Sequence, residues 1–151
     1  MCVMIAMRRK KMYRRGWTCG AFDLLHAGHI ELFKDCKSKC DHLIVGLQSD
    51  PTIDRPEKNR PIQTLEERLV MLQAVKYIDE IVIYHTENDL YTILKAMKPH
   101  IRINGADWKE KKFTGYDLDM QYYFHKRNHS WSTTDLRGRI YEEEKKIRNT
   151  K

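Results

Sequence analysis

The sequence predicts an α/β fold: a parallel sheet of about five strands with helices on both faces. Two observations carry that reading. Short apolar runs of strand length alternate with amphipathic stretches of helix length along one 151-residue chain, which is the pattern of successive strand–helix–strand crossovers. Each polar, chemistry-bearing cluster follows directly after a strand, where ligands bind in folds of this class.

The elements follow in order. Gly16 to Cys19 reads as a short strand stopping at Gly20. Residues 27–39 read as a helix with Ile30, Leu32 and Phe33 on its apolar stripe and lysines near its end. His42 to Leu47, centred on Leu43-Ile44-Val45, reads as a buried strand. The polar stretch Gln48 to Gln63 holds three of the four prolines and reads as a loop. Thr64-x-x-Glu67 is a capping box, continued by Leu65, Leu69, Leu72 and Val75 as an amphipathic helix. Ile81 to Ile83 is a third strand, Asp89 to Met97 a helix ended by Lys98-Pro99, and Ile101 to Ile103 a fourth strand closed by Gly105. Tyr122 to Phe124 is a fifth strand, and a last helix runs from Ser132-Thr133-Thr134 towards Lys146. Right-handed crossovers make this a Rossmann-like sheet.

The net charge of +7 is not spread over the chain. Arg8, Arg9, Lys10, Lys11, Arg14 and Arg15 lie in residues 1–15 with no acid, so the excess is an arm and not a face. Residues 1–15 are expected to be a disordered basic extension, and 16–148 a single domain. No apolar run reaches the roughly 20 residues of a membrane span, and Met1 to Met7 is too short for a signal sequence. A cytoplasmic location is expected. The cysteines Cys2, Cys19, Cys36 and Cys40 contain no C-x-x-C pair; Cys36 and Cys40 read as sharing a helix face, and no metal site is expected.

Three clusters can do chemistry. In Gly20 to His29, a strand ends in glycine and two histidines spaced by three flank a helix start. Gly28 between them lets a ligand approach the backbone, and the helix mouth adds free N–H groups and a positive dipole end, which suit phosphate. Two imidazoles there can donate to oxygens whose charge rises in a transition state. In Arg127 to Thr134, three successive hydroxyl residues open another helix, and Arg127 can grip phosphate oxygens through its planar fork. The loop Asp54 to Pro61 offers three cations stiffened by proline.

Taken together these segments resemble the cytidylyltransferase family, most closely its glycerol-3-phosphate cytidylyltransferase branch, marked by G-T-F-D-x-x-H-x-G-H, R-Y-V-D-E-V and R-T-x-G-x-S-T-T. Here Gly20 to His29, Lys76 to Ile81 and Arg127 to Thr134 stand in those places, and Gly105-Ala106-Asp107-Trp108 stands where the family has a glycine–acid turn. The chain departs from the pattern at Ala21, at Ala106, across Asn128 to Trp131, and in a longer Lys109 to Asp119 segment that could carry acceptor specificity.

The resemblance implies transfer of CMP from CTP to a phosphorylated small molecule such as glycerol 3-phosphate, with release of pyrophosphate. It also implies Mg²⁺ with the nucleotide and a homodimer. His26 and His29 would stabilise the transition state, helped by Arg127 and by Lys58 or Arg60. Ala21, Phe22, Arg60, Asp107, Ser132, Thr133 and Thr134 would line the nucleotide. An ATP-dependent adenylyltransferase of the heptose-phosphate type remains an alternative, as does an inactive nucleotide- or RNA-binding module. No membrane partner is expected, and nucleic acid is the lesser expectation.

Overall fold

The computed structural model describes residues 13–150. The strands are β1 (Tyr13–Gly20), β2 (Cys40–Gln48), β3 (Glu80–Tyr84), β4 (Ile101–Gly105) and β5 (Gln121–His125). The helices are α1 (Ala27–Lys39), α2 (Leu65–Gln73), α3 (Glu87–Met97) and α4 (Thr133–Asn149), with single 3₁₀ turns at Pro51–Ile53 and Ala106–Trp108. All strand pairs are parallel, in the order β3-β2-β1-β4-β5. The chain builds outward from β1 to β3, then returns to the other side of β1 for β4. Strand order therefore reverses between β1 and β4, which opens a crevice beyond their carboxyl ends. The expected fold class holds.

The apolar runs are explained by burial on both faces of the sheet. Leu43, Val45 and Leu47 of β2 pack with Phe33, Cys36 and Leu72 on one face, together with Ile101 and Ile103. Ile44 points the other way, to Trp17, Tyr84, Leu90 and Leu94. Strand alternation thus serves two cores at once.

Several boundaries differ from the sequence reading. β1 starts at Tyr13, so Arg14 and Arg15 belong to the sheet and not to an extension. The Arg15 carbonyl accepts from His100 N at 3.0 Å and its guanidinium donates to Lys98 O at 3.1 Å, which ties this end to the approach of β4. The rest of the expected extension, with Cys2, lies outside the described residues. Cys40 opens β2 in an extended conformation, so it does not share a helix face with Cys36. Both thiols are fully buried, and Cys40 Sγ lies 3.3 Å from Cys36 O.

The Thr64–Glu67 capping box forms as read, with reciprocal bonds of 3.1 and 2.7 Å. α2 stops at Gln73 and not at Val75, because the chain closes a turn from Val75 N to Leu72 O. α3 starts two residues early through a second capping box, Thr86 with Asp89. Among the described residues no helix is long and apolar enough to cross a membrane.

Candidate active site

After Gly20 the chain turns through two non-glycine residues in the left-handed region, Phe22 (φ 48°) and Leu24 (φ 49°). Each costs roughly 1–2 kcal/mol, so the surroundings must impose the turn. Phe22 is buried against Phe33 and His29, with ring centroids 5.0 and 5.5 Å away. The carboxylate of Asp23 accepts from Ile62 N and Gln63 N, both at 2.9 Å, and Leu24 N donates to Gln63 Oε1 at 2.8 Å. The far end of the long loop clamps this turn.

The turn delivers His26 as the N-cap of α1. Its Nδ1 accepts from Gly28 N at 3.0 Å, while His29 Nδ1 accepts from His26 N at 3.3 Å. This is a capping box made from two imidazoles. Because both Nδ1 atoms accept, the hydrogen bonds assign the neutral tautomer with its proton on Nε2. His26 Nε2 then lies 3.2 Å from Thr133 Oγ1, on α4. The two rings stack with centroids 3.7 Å apart.

Two imidazolium ions cannot share that arrangement. Burial first, then the charges of His26 and Arg127, push the His29 pKa down to about 3. Burial, followed by Arg127 and His129, lowers that of His26. Both are neutral N–H donors near pH 7.

The second helix mouth divides its hydroxyls. Ser132 caps α4 by accepting from Asp135 N at 3.0 Å, so it acts as an ordinary N-cap. Thr133 and Thr134 instead join His29, Asn59 and Arg137 around a cavity of about 280 Å³ whose opposite wall is Gly20 to Asp23. Arg127 donates to Trp131 O at 2.7 Å and pairs with Asp107 at 3.6 Å.

Of the loop cations, Lys58 lines a second, larger pocket of about 680 Å³ and faces the Trp108 ring at 5.8 Å. Arg60 turns out to Asp50 at 3.4 Å and lines neither cavity. Gly20 and Ala21 line both, so the two spaces share one strip of main chain.

Three residues escaped the sequence reading. Asp23 and Arg137 stand 4.0 Å apart beside the smaller cavity. Arg68 is buried beneath it, donating to Ala21 O at 2.8 Å and Gln48 O at 2.6 Å. One signal was available for Arg68: it lies three residues after Leu65 and four before Leu72, on the apolar face of α2.

A 3-2-1-4-5 parallel sheet with paired helix mouths over its switch point is the architecture of nucleotidyltransferase-type domains. The chain belongs to the cytidylyltransferase-like family, whose profile matches residues 17–139. Among curated relatives, bifunctional protein HldE of Aliarcobacter butzleri is 33% identical over 130 residues, covering 85% of this chain and 27% of that protein. Bifunctional protein HldE of Paramagnetospirillum magneticum is 36% identical over 111 residues, covering 73% of this chain and 22% of that protein. The chain thus spans about a quarter of the length of these relatives.

Among solved structures, the lipopolysaccharide core biosynthesis protein of Thermoplasma volcanium superposes with a TM-score of 0.65 at 25% identity, over 78% of this chain and 99% of that one. A bifunctional NMN adenylyltransferase/ADP ribose pyrophosphatase of Francisella tularensis shares the fold, with a TM-score of 0.61 at 17% identity, over 87% of this chain and 42% of that one.

Proposed function

We propose that this domain transfers a nucleotidyl group from a nucleoside triphosphate to the phosphate of a phosphorylated sugar, releasing pyrophosphate. The observation that carries the reading is the pair of cavities sharing Gly20 and Ala21. One, with His29, Thr133 and Thr134, suits a polyphosphate; the other, with Arg55 and Lys58, suits a phosphorylated acceptor.

In this mechanism an acceptor phosphate oxygen forms a bond to the α-phosphorus while the bond from that phosphorus to the bridging oxygen breaks, and pyrophosphate leaves with the electron pair. The acceptor phosphate is already ionised, its second pKa being about 6, so no side chain need act as base. Neutral His29, which lines the smaller cavity, donates its Nε2–H to the phosphoryl oxygens as charge builds on them. His26 would join it by turning its Nε2–H from the Thr133 hydroxyl to the same oxygens. Arg127 and the α4 mouth at Thr133 and Thr134 hold the leaving phosphates, and Lys58 draws the acceptor phosphate towards the α-phosphorus.

Mg²⁺ fits as a companion of the triphosphate. The family resemblance implies it, and Mg²⁺ is commonly carried on substrate phosphates, where it neutralises charge. Cytoplasmic location and homodimerisation belong to the same reading through the family resemblance.

For the donor we favour ATP, because similarity to a lipopolysaccharide core biosynthesis protein supports a sugar phosphate acceptor, the line on which the sequence already held an ATP-dependent alternative. CTP with glycerol 3-phosphate is the second reading, favoured by the Lys76 to Ile81 segment. Pyrophosphate release, assayed with each of four triphosphates against glycerol 3-phosphate, phosphocholine, phosphoethanolamine and hexose 1-phosphates, tests both. Release with ATP and a sugar phosphate supports the first. Silence in every combination, with Mg²⁺ present and with heptose phosphates and hexose bisphosphates added to the panel, refutes the transferase reading.

A further inference from the structure

β4 carries an arginine where its burial asks for an apolar residue. Ile101 and Ile103 face the core with Phe33, while Arg102 and Asn104 face the opposite side of the sheet and line the larger pocket. Both are more than nine-tenths buried, with 4% and 7% of their surface exposed.

The Arg102 guanidinium donates from Nε to Asn104 Oδ1 at 3.0 Å and from Nη1 to Thr114 O. Its Nη2 lies 3.6 Å from Cys19 Sγ, and the Phe113 ring lies 5.0 Å away. Every one of these partners is neutral. The two carboxylates of the pocket are engaged elsewhere: Glu87 by Arg55 at 3.1 Å and by the Thr114 hydroxyl, Asp117 by the Tyr91 hydroxyl at 3.0 Å.

A buried cation without a counter-charge is costly, because neutral dipoles replace only part of its hydration. Beside it, Asn104 Nδ2 is buried with no partner among the described residues. The amide orientation is fixed because its Oδ1 accepts from Arg102, so the unpartnered atom is a donor. Five N–H groups belong to an arginine, and among the described residues only three meet an acceptor. Both side chains line a pocket of about 680 Å³, far more room than a single phosphate at the Gly20 rim requires, and between them they keep donors that no acceptor among the described residues meets.

We propose that Arg102 and Asn104 form an oxyanion subsite for a second anionic group of the acceptor, at its end remote from the phosphate that attacks. The acceptor class is then a sugar phosphate that also bears a carboxylate or another phosphate. This inference rests on the transferase reading for the word acceptor, but the subsite itself can be tested by binding alone.

Calorimetric titration of the full chain, without nucleotide, compares glucose 1-phosphate with glucose 1,6-bisphosphate and glucuronic acid 1-phosphate. At least one doubly anionic probe is expected to bind about tenfold or more tighter than glucose 1-phosphate, as charge-assisted hydrogen bonds would give; which one does so distinguishes phosphate from carboxylate. Arg102→Met should erase the preference and Arg102→Lys retain it. Asn104→Asp, which sets a carboxylate in the subsite, should reverse it and serves where Arg102→Met does not fold. Equal binding of all three probes overturns the proposal, as does a preference that survives Arg102→Met or Asn104→Asp. If the preference is present but no triphosphate releases pyrophosphate, the transferase reading fails and the subsite stands.

Discussion

Replacing Arg68 by methionine tests the clamp beneath the site. The side chain is 2% exposed. It donates to the carbonyls of Ala21, Gln48 and Ser49, and back to Gln63 and Thr64 at 3.2 and 3.3 Å. The first three acceptors come from the loop after β1 and the end of β2, which only this guanidinium bridges among the hydrogen bonds described. Methionine keeps the length and apolar stem but removes every donor. Each orphaned buried carbonyl costs about 1–3 kcal/mol, less where water enters. Relief of the buried charge returns part of that, leaving a net loss of about 3–4 kcal/mol, a large share of the roughly 5–15 kcal/mol that holds a domain folded. Urea unfolding followed by circular dichroism should show a midpoint lower by about 2 M at unchanged slope. Arg68→Lys should recover little, since one ammonium cannot reach three segments. A loss below about 1 kcal/mol would mean that those carbonyls have other partners, and the clamp would be refuted.

Other perturbations give further expectations. His26→Ala and His29→Ala should each lower turnover by about 10²–10³, and His26→Ala should also cost about 1 kcal/mol of stability as a lost cap; near-normal turnover in both variants would exclude the proposed transition-state role. With both histidine pKa values lowered by burial, stability is complete above the unfolded value near 6.5 and declines as pH falls towards about 3 for His29. There the unfolded chain takes up protons that the native state refuses, at up to about 1.4 kcal/mol per pH unit for the more deeply buried His29 and less for His26, whose partial exposure lets solvent screen the effect. Urea midpoints measured from pH 7 to 4 should follow that slope, and His29→Gln should flatten it. Gly46→Ala sets a methyl 2.5 Å from Trp17 Cζ2 and 2.9 Å from Cys19 Cβ, an overpacking of about 1–3 kcal/mol that thermal unfolding would register.

The central strand β2 was legible because burial on both faces leaves little room for anything but Leu43-Ile44-Val45, and the edge strand β3 because Ile81-Val82-Ile83 is a β-branched run, although Ile83 is exposed. Helix α2 was legible because its capping box is local. The start of β1 was not, since Arg14 and Arg15 continue a basic run and only their backbone bonds near His100 and Cys40 reveal a strand. At the site, His26, His29 and Thr133 could be read as helix-mouth residues, and Ser132 equally well as the cap it is. Arg68 shows how much a helical pattern can disclose: its place on the apolar face is visible, but its acceptors lie in segments remote in sequence. Arg102 is harder still. A charge between two isoleucines looks like an exposed edge residue until β5 is found covering that flank of the sheet. The wall formed by Lys112 to Asp117 has no periodicity at all.

The strip of main chain at Gly20 and Ala21, common to both hollows, has a kinetic consequence. In the proposed transferase, nucleotide and acceptor would occupy the two hollows on either side of that strip at the same time, with no intermediate stored on the protein. Initial-rate lines at varied concentrations of both reactants should therefore intersect, as for a ternary complex, and never run parallel as in a ping-pong cycle.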